Sequence, residues 1–199
     1  MQAYRLAGVE NDHECSTAEE VLDKLRAGLH IYVREGSGAK NLETLIKTML
    51  DAGVCLDRCA FCTDDKHVEE IRKEGHISTC IRKAIALGVP VAKAYKMGSY
   101  QAAEFYGLKN YGAIGAGYRA DIVFLDDLEQ VRPLDVMKDG RILTEEDYAK
   151  DYSVPVPDEL LHTVHVGEVT KEKIRLSCDG KTDVIQMNPH QIVTTHLVE

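Results

Sequence analysis

The chain has 199 residues, with 44% apolar and 29% charged side chains, the balance of an ordinary soluble globular protein long enough to bury a core. Twenty-four Lys and Arg stand against 33 Asp and Glu, for a net charge of −9, and no dense basic run is present, so a nucleic-acid partner is not expected. No stretch of about 18 apolar residues exists and Met1-Gln2-Ala3-Tyr4 does not open a signal peptide, which leaves no membrane partner and a cytoplasmic location as the expectation.

In chain order, Ala7 to Glu14 reads as a short strand running into the polar cluster Asn11-Asp12-His13-Glu14. A helix follows from about Thr17 to Ala27, with Ser16 or Thr17 as cap and Glu19 or Glu20 closing a capping box. Leu29 to Arg34 is rich in β-formers and ends in Arg34-Glu35-Gly36-Ser37-Gly38. The next helix, Ala39 to Ala52, puts Leu42, Leu45, Ile46, Met49 and Leu50 on one stripe. Arg58 to Cys62 is a third strand, and it stops at Thr63-Asp64-Asp65. Three times a strand ends in polar residues and hands over to a helix, the mark of parallel β/α units whose ligand sites gather at the strand ends. That pattern brings His13, Arg34, Glu35, Asp64 and Asp65 to one rim. The competing role for Asp64 or Asp65 is the cap of a helix opening near His67.

Two helical stretches then run from Val68 to Leu87 and from Val91 to Tyr106, with Gly88 and Pro90 between them. Beyond Asn110 the texture changes to short β-prone pieces: Asp121 to Leu125, Val131 to Met137 and Arg141 to Leu143, with Asp139-Gly140 as a hairpin turn. From Tyr152 on, Val-Pro-Val-Pro and scattered β-branched residues suggest a linker and a few strands. The organisation expected is therefore α/β: a partial barrel over 1–110, a small β domain return segment over 111–150, and a linker with an additional β-rich segment over 151–199.

The blocks Asn11-Asp12-His13-Glu14-Cys15, Val33 to Ser37 with Ala39 to Leu42, Phe61 to Asp65, Met97 to Glu104 and Gly112 to Val123 occur in an order that resembles adenine deaminases of the amidohydrolase superfamily. One departure is Gln101, where that family usually has Asn. The resemblance implies a hydrolase on a TIM-like (β/α) barrel that converts adenine to hypoxanthine and ammonia, in which a divalent metal, manganese or iron, sits at the strand ends. Carried over residue by residue, His13 is the histidine of strand six and Asp64 the aspartate of strand eight. Both are then metal ligands, and Asp64 also carries the proton. Arg34, Glu35, Ser37 and Asp65 are implied in binding the substrate, adenine, with Glu14 and His67 behind the ligands, and a homo-oligomer is expected.

No His-x-His precedes His13, so the donors that the family draws from strands one to five have no counterpart here. The chain thus reads as a carboxyl-side piece of a longer enzyme holding about strands six to eight, with little turnover of its own. Two rival readings come from other classes. The first is a non-catalytic binding or scaffold module derived from an amidohydrolase. The second is an iron–sulfur enzyme of radical-SAM type, because Cys55-x3-Cys59-x2-Cys62 has that cluster's spacing; a strand location of Cys59 and Cys62 argues against it, and against a zinc site on the same cysteines. Six cysteines without framework spacing point to reduced thiols. His162-x-x-His165 falls in a β-prone context, where a spacing of three turns the two rings to opposite faces.

Overall fold

The computed structural model describes every residue except 152 and 179, so the expectation that a linker begins at Tyr152 lies, at that residue, outside the described residues. The chain forms two compact units, one of residues 1–143 with 187–194 and the other of 144–186 with 195–199. Among the described residues no helix is long and apolar enough to cross a membrane.

The first unit is built on a parallel sheet. Helix α1 (Gln2–Leu6) leads to β1 (Asn11–Asp12), then come α2 (Ala18–Arg26), β2 (His30–Arg34), α3 (Leu42–Asp51) and, after a 3-10 turn at Leu56–Arg58, β3 (Cys59–Cys62). The sheet order is β1-β2-β3, all parallel, with Asp12 paired to Ile31 and Val33 to Phe61. The expected first strand is thus cut to two residues, and the chain before it turns helical. Val9, the β-former that suggested a longer strand, is exposed and its N–H is used by Tyr4 O at 3.0 Å in closing that helix.

Side chains alternate across a strand, so this register sorts the sheet into two faces. Ile31, Val33, Cys59 and Phe61 belong to the main core with Leu42, Leu45, Ile46 and Met49 of α3. Each of those helix side chains is almost wholly removed from water, worth about 1.5–3 kcal/mol apiece. Helix α2 is held at its start by the capping box foreseen from Thr17 and Glu20. The opposite face carries His30, Tyr32, Arg34, Ala60 and Cys62.

Where two long helices were expected the chain makes four: α4 (Val68–Glu74), α5 (Ile77–Ala86), α6 (Val91–Gly98) and α7 (Tyr100–Phe105). The first break is at Gly75, whose φ of +96° ends α4, and Thr79 Oγ1 then caps the Glu74 carbonyl. The second is at Ser99, which leaves helical backbone so that its hydroxyl can donate to Gly112 O at 2.5 Å. Helix α7 matters for the sheet: Phe105 stacks on His30 at 3.8 Å between centroids and stands edge-on to Tyr32 at 5.8 Å, while Tyr106 reaches the same Tyr32 ring. Gln101, buried, ties this helix down by donating from Nε2 to Leu56 O at 2.7 Å.

The unit also contains an antiparallel sheet, β4 (Ile122–Leu125), β5 (Pro133–Lys138) and β6 (Arg141–Ile142) in that order. Asp139 and Gly140 join the last two with φ of +50° and +77°, the primed turn that a tight hairpin needs. Strand β5 starts later than expected, because Val131 takes a left-handed φ of +51° that no strand accommodates. Among the described residues the second unit holds three short helices, α8 (Glu145–Ala149), α9 (Asp158–Leu161) and α10 (Lys171–Ile174). Strands β7 (Asp183–Met187) and β8 (Thr194–Val198) pair with each other, and residues 187–194 between and at their ends group with the first unit. His162 and His165 lie in exposed chain outside any strand, so the strand expected there does not form.

Candidate active site

The C-terminal ends of β1, β2 and β3 come together on the side of the sheet that carries Tyr32 and Arg34. His13 follows β1 and Asp64 follows β3, and both line a cavity of about 290 Å³ together with Tyr32, Phe61, Cys62 and Tyr106. An imidazole and a carboxylate thus face a small chamber bordered by the rings of Tyr32 and Tyr106, which Phe61, its ring in the core on the other face, adjoins at the strand end. Asp64 is half-exposed and holds a left-handed φ of +48°, a conformation that only a short polar side chain adopts readily outside glycine.

Arg34 is the centre of the polar network. Its side chain has no exposed surface, yet it carries a full charge, which demands partners on every edge. From Nη1 it donates to Asp64 Oδ2 at 3.2 Å and to Glu14, and from Nε and Nη2 it donates to Asn41 Oδ1 at 3.3 and 3.0 Å. Glu14 in turn lies 3.4 Å from His13 Nε2 through its other oxygen. His13, Glu14, Arg34 and Asp64 therefore form one continuous chain of contacts along the cavity edge.

The other expected site residues sit elsewhere on the rim. Glu35, 4% exposed, follows Arg34 and so turns to the helix side, where its carboxylate accepts from Lys83 Nζ at 2.6 Å. Asp65 is occupied by backbone: Oδ1 accepts from Ser37 N at 3.1 Å and Oδ2 from Gly38 N at 2.6 Å. The Ser37 hydroxyl donates to Glu70 and accepts from His67 N at 2.9 Å, so His67 enters through its main chain, with an exposed ring. Asp12, next to His13, faces the helices and meets Lys24 Nζ at 2.9 Å and the Cys15 thiol at 3.1 Å. Burial works to raise the Asp12 carboxyl, but the Lys24 ammonium and the Cys15 thiol outweigh it and hold it below the ordinary value.

The three cysteines of the cluster-like spacing do not converge. Cys59 points into the core, its sulfur 3.5 Å from Met49 Sδ, while Cys62 lies on the opposite face beside the cavity and Cys55 is exposed before the strand. Burial pushes both the Cys59 and the Cys62 thiols up to about 12, the second helped by the Asp64 carboxylate.

Sequence reasoning passed over three participants. Asn41 falls inside the helix expected over Ala39 to Ala52; it precedes α3 instead, makes no side-chain cap bond and serves Arg34. Lys83 lies 48 residues from Glu35, and Gln191, which accepts from Asn41 Nδ2 at 3.3 Å, lies 150 residues away. No local signal announces either, although the burial of Arg34-Glu35 in a strand calls for partners of some kind.

Residues 2–143 match the model of the amidohydrolase family. The chain belongs to the amidohydrolase family. Among curated relatives it is 39% identical over 198 residues to an adenine deaminase of Desulfitobacterium hafniense, covering 99% of this chain and 34% of that protein. It is 41% identical over 186 residues to an adenine deaminase of Clostridium acetobutylicum, covering 92% of this chain and 32% of the relative. The chain thus spans about a third of the length of the curated relatives it matches. Among solved structures, a β-aspartyl dipeptidase from Fervidobacterium islandicum in complex with a β-Asp-Leu dipeptide superposes with a TM-score of 0.53 at 18% identity, over 73% of this chain and 41% of that one. Amidohydrolases generally use a divalent metal. Here His13 and Asp64 have donor atoms of the right kind, but among the described residues no group of three or more His, Cys, Asp or Glu is placed to hold an ion. Two donors fall short of the three or more that hold a catalytic metal firmly.

Proposed function

We propose that this chain is the strand-six-to-eight portion of a TIM-like barrel in an adenine deaminase, an enzyme that replaces the amino group of adenine with oxygen from water to give hypoxanthine and ammonia. The observation that carries the reading is the shared cavity: His13 and Asp64, the two residues matched to the family's metal-binding pattern, face the same aromatic-walled chamber. A purine is flat and aromatic, and Tyr32 and Tyr106 offer it faces and edges to pack against. In the whole enzyme manganese or iron is the proposed metal. His13 and Asp64 are two of its ligands, and further donors are not among the described residues.

This chain's own residues supply orientation and proton handling. Arg34 binds Asp64 through Oδ2, which leaves Oδ1 outside that ion pair. Asp64 takes a proton from the attacking water and delivers it to the departing amine, so that water's oxygen forms the new bond to the ring carbon and ammonia leaves with the added hydrogen. Arg34 with Glu14 holds the carboxylate in place, and Ser37 and Asp65, through the loop they brace, set the rim against which the purine edge lies. Glu35 supports that edge from behind through Lys83, and His67 pins Ser37.

Isothermal titration of adenine into the purified chain with Mn²⁺, with ammonia release followed in parallel, tests the proposal. The result expected is binding that Asp64→Ala weakens, with little or no ammonia. Absence of adenine binding sinks the purine reading and favours a non-catalytic module, whereas robust Asp64-dependent ammonia release overturns the view that the donor set is incomplete.

A further inference from the structure

The Arg34 guanidinium meets Asp64 by one edge and Asn41 by the other, and the second contact decides the first. Asn41 Oδ1 accepts from both Nε and Nη2, which fixes the plane of the group. A planar fork held along that edge has no freedom to turn, so Nη1 must face Glu14 and Asp64. Asn41 is itself 1% exposed, and it is tied to Arg34 a second time by its own N–H, which donates to Arg34 O at 3.1 Å. Its remaining donor, Nδ2, reaches Gln191 Oε1 at 3.3 Å, and the neighbouring Lys40 N donates to His190 O at 3.2 Å. The segment 187–194 belongs to the same compact unit.

We propose that Asn41 is a positioning residue that aims Arg34 at Asp64 and Glu14, and that Gln191, from the carboxyl-terminal segment, holds Asn41 in the orientation this requires. Its meaning for catalysis rests on the role proposed above for Asp64. Without the fork, the guanidinium turns about its own bond, and the carboxylate oxygen it grips is released. Asparagine suits the position because it fills two roles at once, with one oxygen to accept from Arg34 and one amide to donate to Gln191. An aspartate in its place keeps the first and forfeits the second. A leucine of similar size keeps neither.

Nitrogen-15 spectra of the Arg34 side chain, compared between the native chain and Asn41→Asp, Asn41→Leu and Gln191→Leu, test this. In the native chain the Nε–H signal is expected to be resolved and slow to exchange with solvent. Asn41→Leu speeds that exchange by at least about tenfold, the scale of one charged hydrogen bond, while Asn41→Asp preserves it within about threefold and Gln191→Leu lies between. The decisive arm is Asp64→Asn, which shifts the Arg34 Nη signals in the native background and ceases to do so beside Asn41→Leu. A merely structural role for Asn41 predicts the opposite, an Arg34 that responds to Asp64→Asn equally in both backgrounds, and that result overturns the proposal. Equal exchange in native chain and Asn41→Leu overturns it too. Backbone amide spectra report folding, and should Asn41→Leu unfold the chain, Asn41→Ser carries the same comparison. None of these readouts uses adenine or metal, so a failed purine titration leaves them standing.

Discussion

A β-carbon placed on Gly36 falls 1.8 Å from Asp65 Oδ1, inside any permitted contact. The reason is the bracket that Asp65 makes with Ser37 N and Gly38 N, which draws the loop after β2 down on the loop after β3. Gly36→Ala therefore has to break one of the two. The expected cost is about 1–3 kcal/mol of unfolding free energy in urea, and Asp65→Ala alone removes two hydrogen bonds at about 1–2 kcal/mol. Together the two changes cost less than their sum, because the alanine no longer meets the carboxylate. Additive losses in that double-mutant cycle contradict the bracket.

Glu35 and Lys83 supply a second test of what the rim does. The carboxylate is buried and the ammonium half-exposed, so removing Lys83 strands a charge that water reaches poorly. Lys83→Met is expected to destabilise the chain by about 1–3 kcal/mol in urea unfolding, and Glu35→Gln beside it to recover part of that loss. The exposed pair Arg26–Asp23 serves as the control, since such pairs contribute about 0–1 kcal/mol. Equal effects of Lys83→Met and Arg26→Met refute the distinction.

The parallel core was legible where period and capping acted locally. Strand β2, with Ile31, Tyr32 and Val33, and helix α3, with its apolar stripe, formed within three residues of the expected bounds because their own side chains dictate burial on both sides of the sheet. The helix breaks at Gly75 and Ser99 were not legible. Each rests on a contact with distant chain or on a left-handed residue that a helical pattern tolerates until tertiary packing chooses otherwise. At the site, residue types at strand ends pointed to His13 and Asp64 lying on a common cavity. Which carboxylates Arg34 grips, and that Asp65 spends both oxygens on backbone, depend on loop conformations that no spacing encodes.

The thiols divide sharply by burial. Cys55 and Cys178 are exposed, whereas Cys15, Cys59 and Cys80 are buried and Cys62 sits half-buried at the cavity. Burial pushes the Cys15, Cys59, Cys62 and Cys80 thiols up to about 12. Because the thiolate is the reactive form, iodoacetamide at pH 8 is expected to label two of the six cysteines in the native chain and all six in guanidinium. Mass spectrometry of peptides reads the positions. Rapid native labelling of Cys59 or Cys62, or an iron–sulfur chromophore after anaerobic reconstitution, would falsify the burial described for β3.

His30 gives the chain a pH response that can be assigned to one ring. It stacks on Phe105 at the start of β2, and burial, aided by the Arg58 guanidinium, lowers its pKa from the ordinary 6.5. The sign follows from the two states. The unfolded chain binds a proton near pH 6.5 and the folded chain binds it only at lower pH, so the neutral ring's full contribution is present above 6.5. Stability falls as the pH drops from 6.5 through the folded value, where the ring at last becomes charged and the slope ends. Acidic groups that also titrate toward the lower end of that window add their own dependence, so the test is a difference between proteins. Urea midpoints measured for the native chain and for His30→Phe between pH 7.5 and pH 5 should show the native chain losing stability relative to the variant as the pH falls, because phenylalanine keeps the stack on Phe105 and has no proton to bind. Parallel curves, with a constant gap across the range, would mean that the His30 ring is as free to protonate in the fold as in the unfolded chain, and that the burial described for it does not hold in solution.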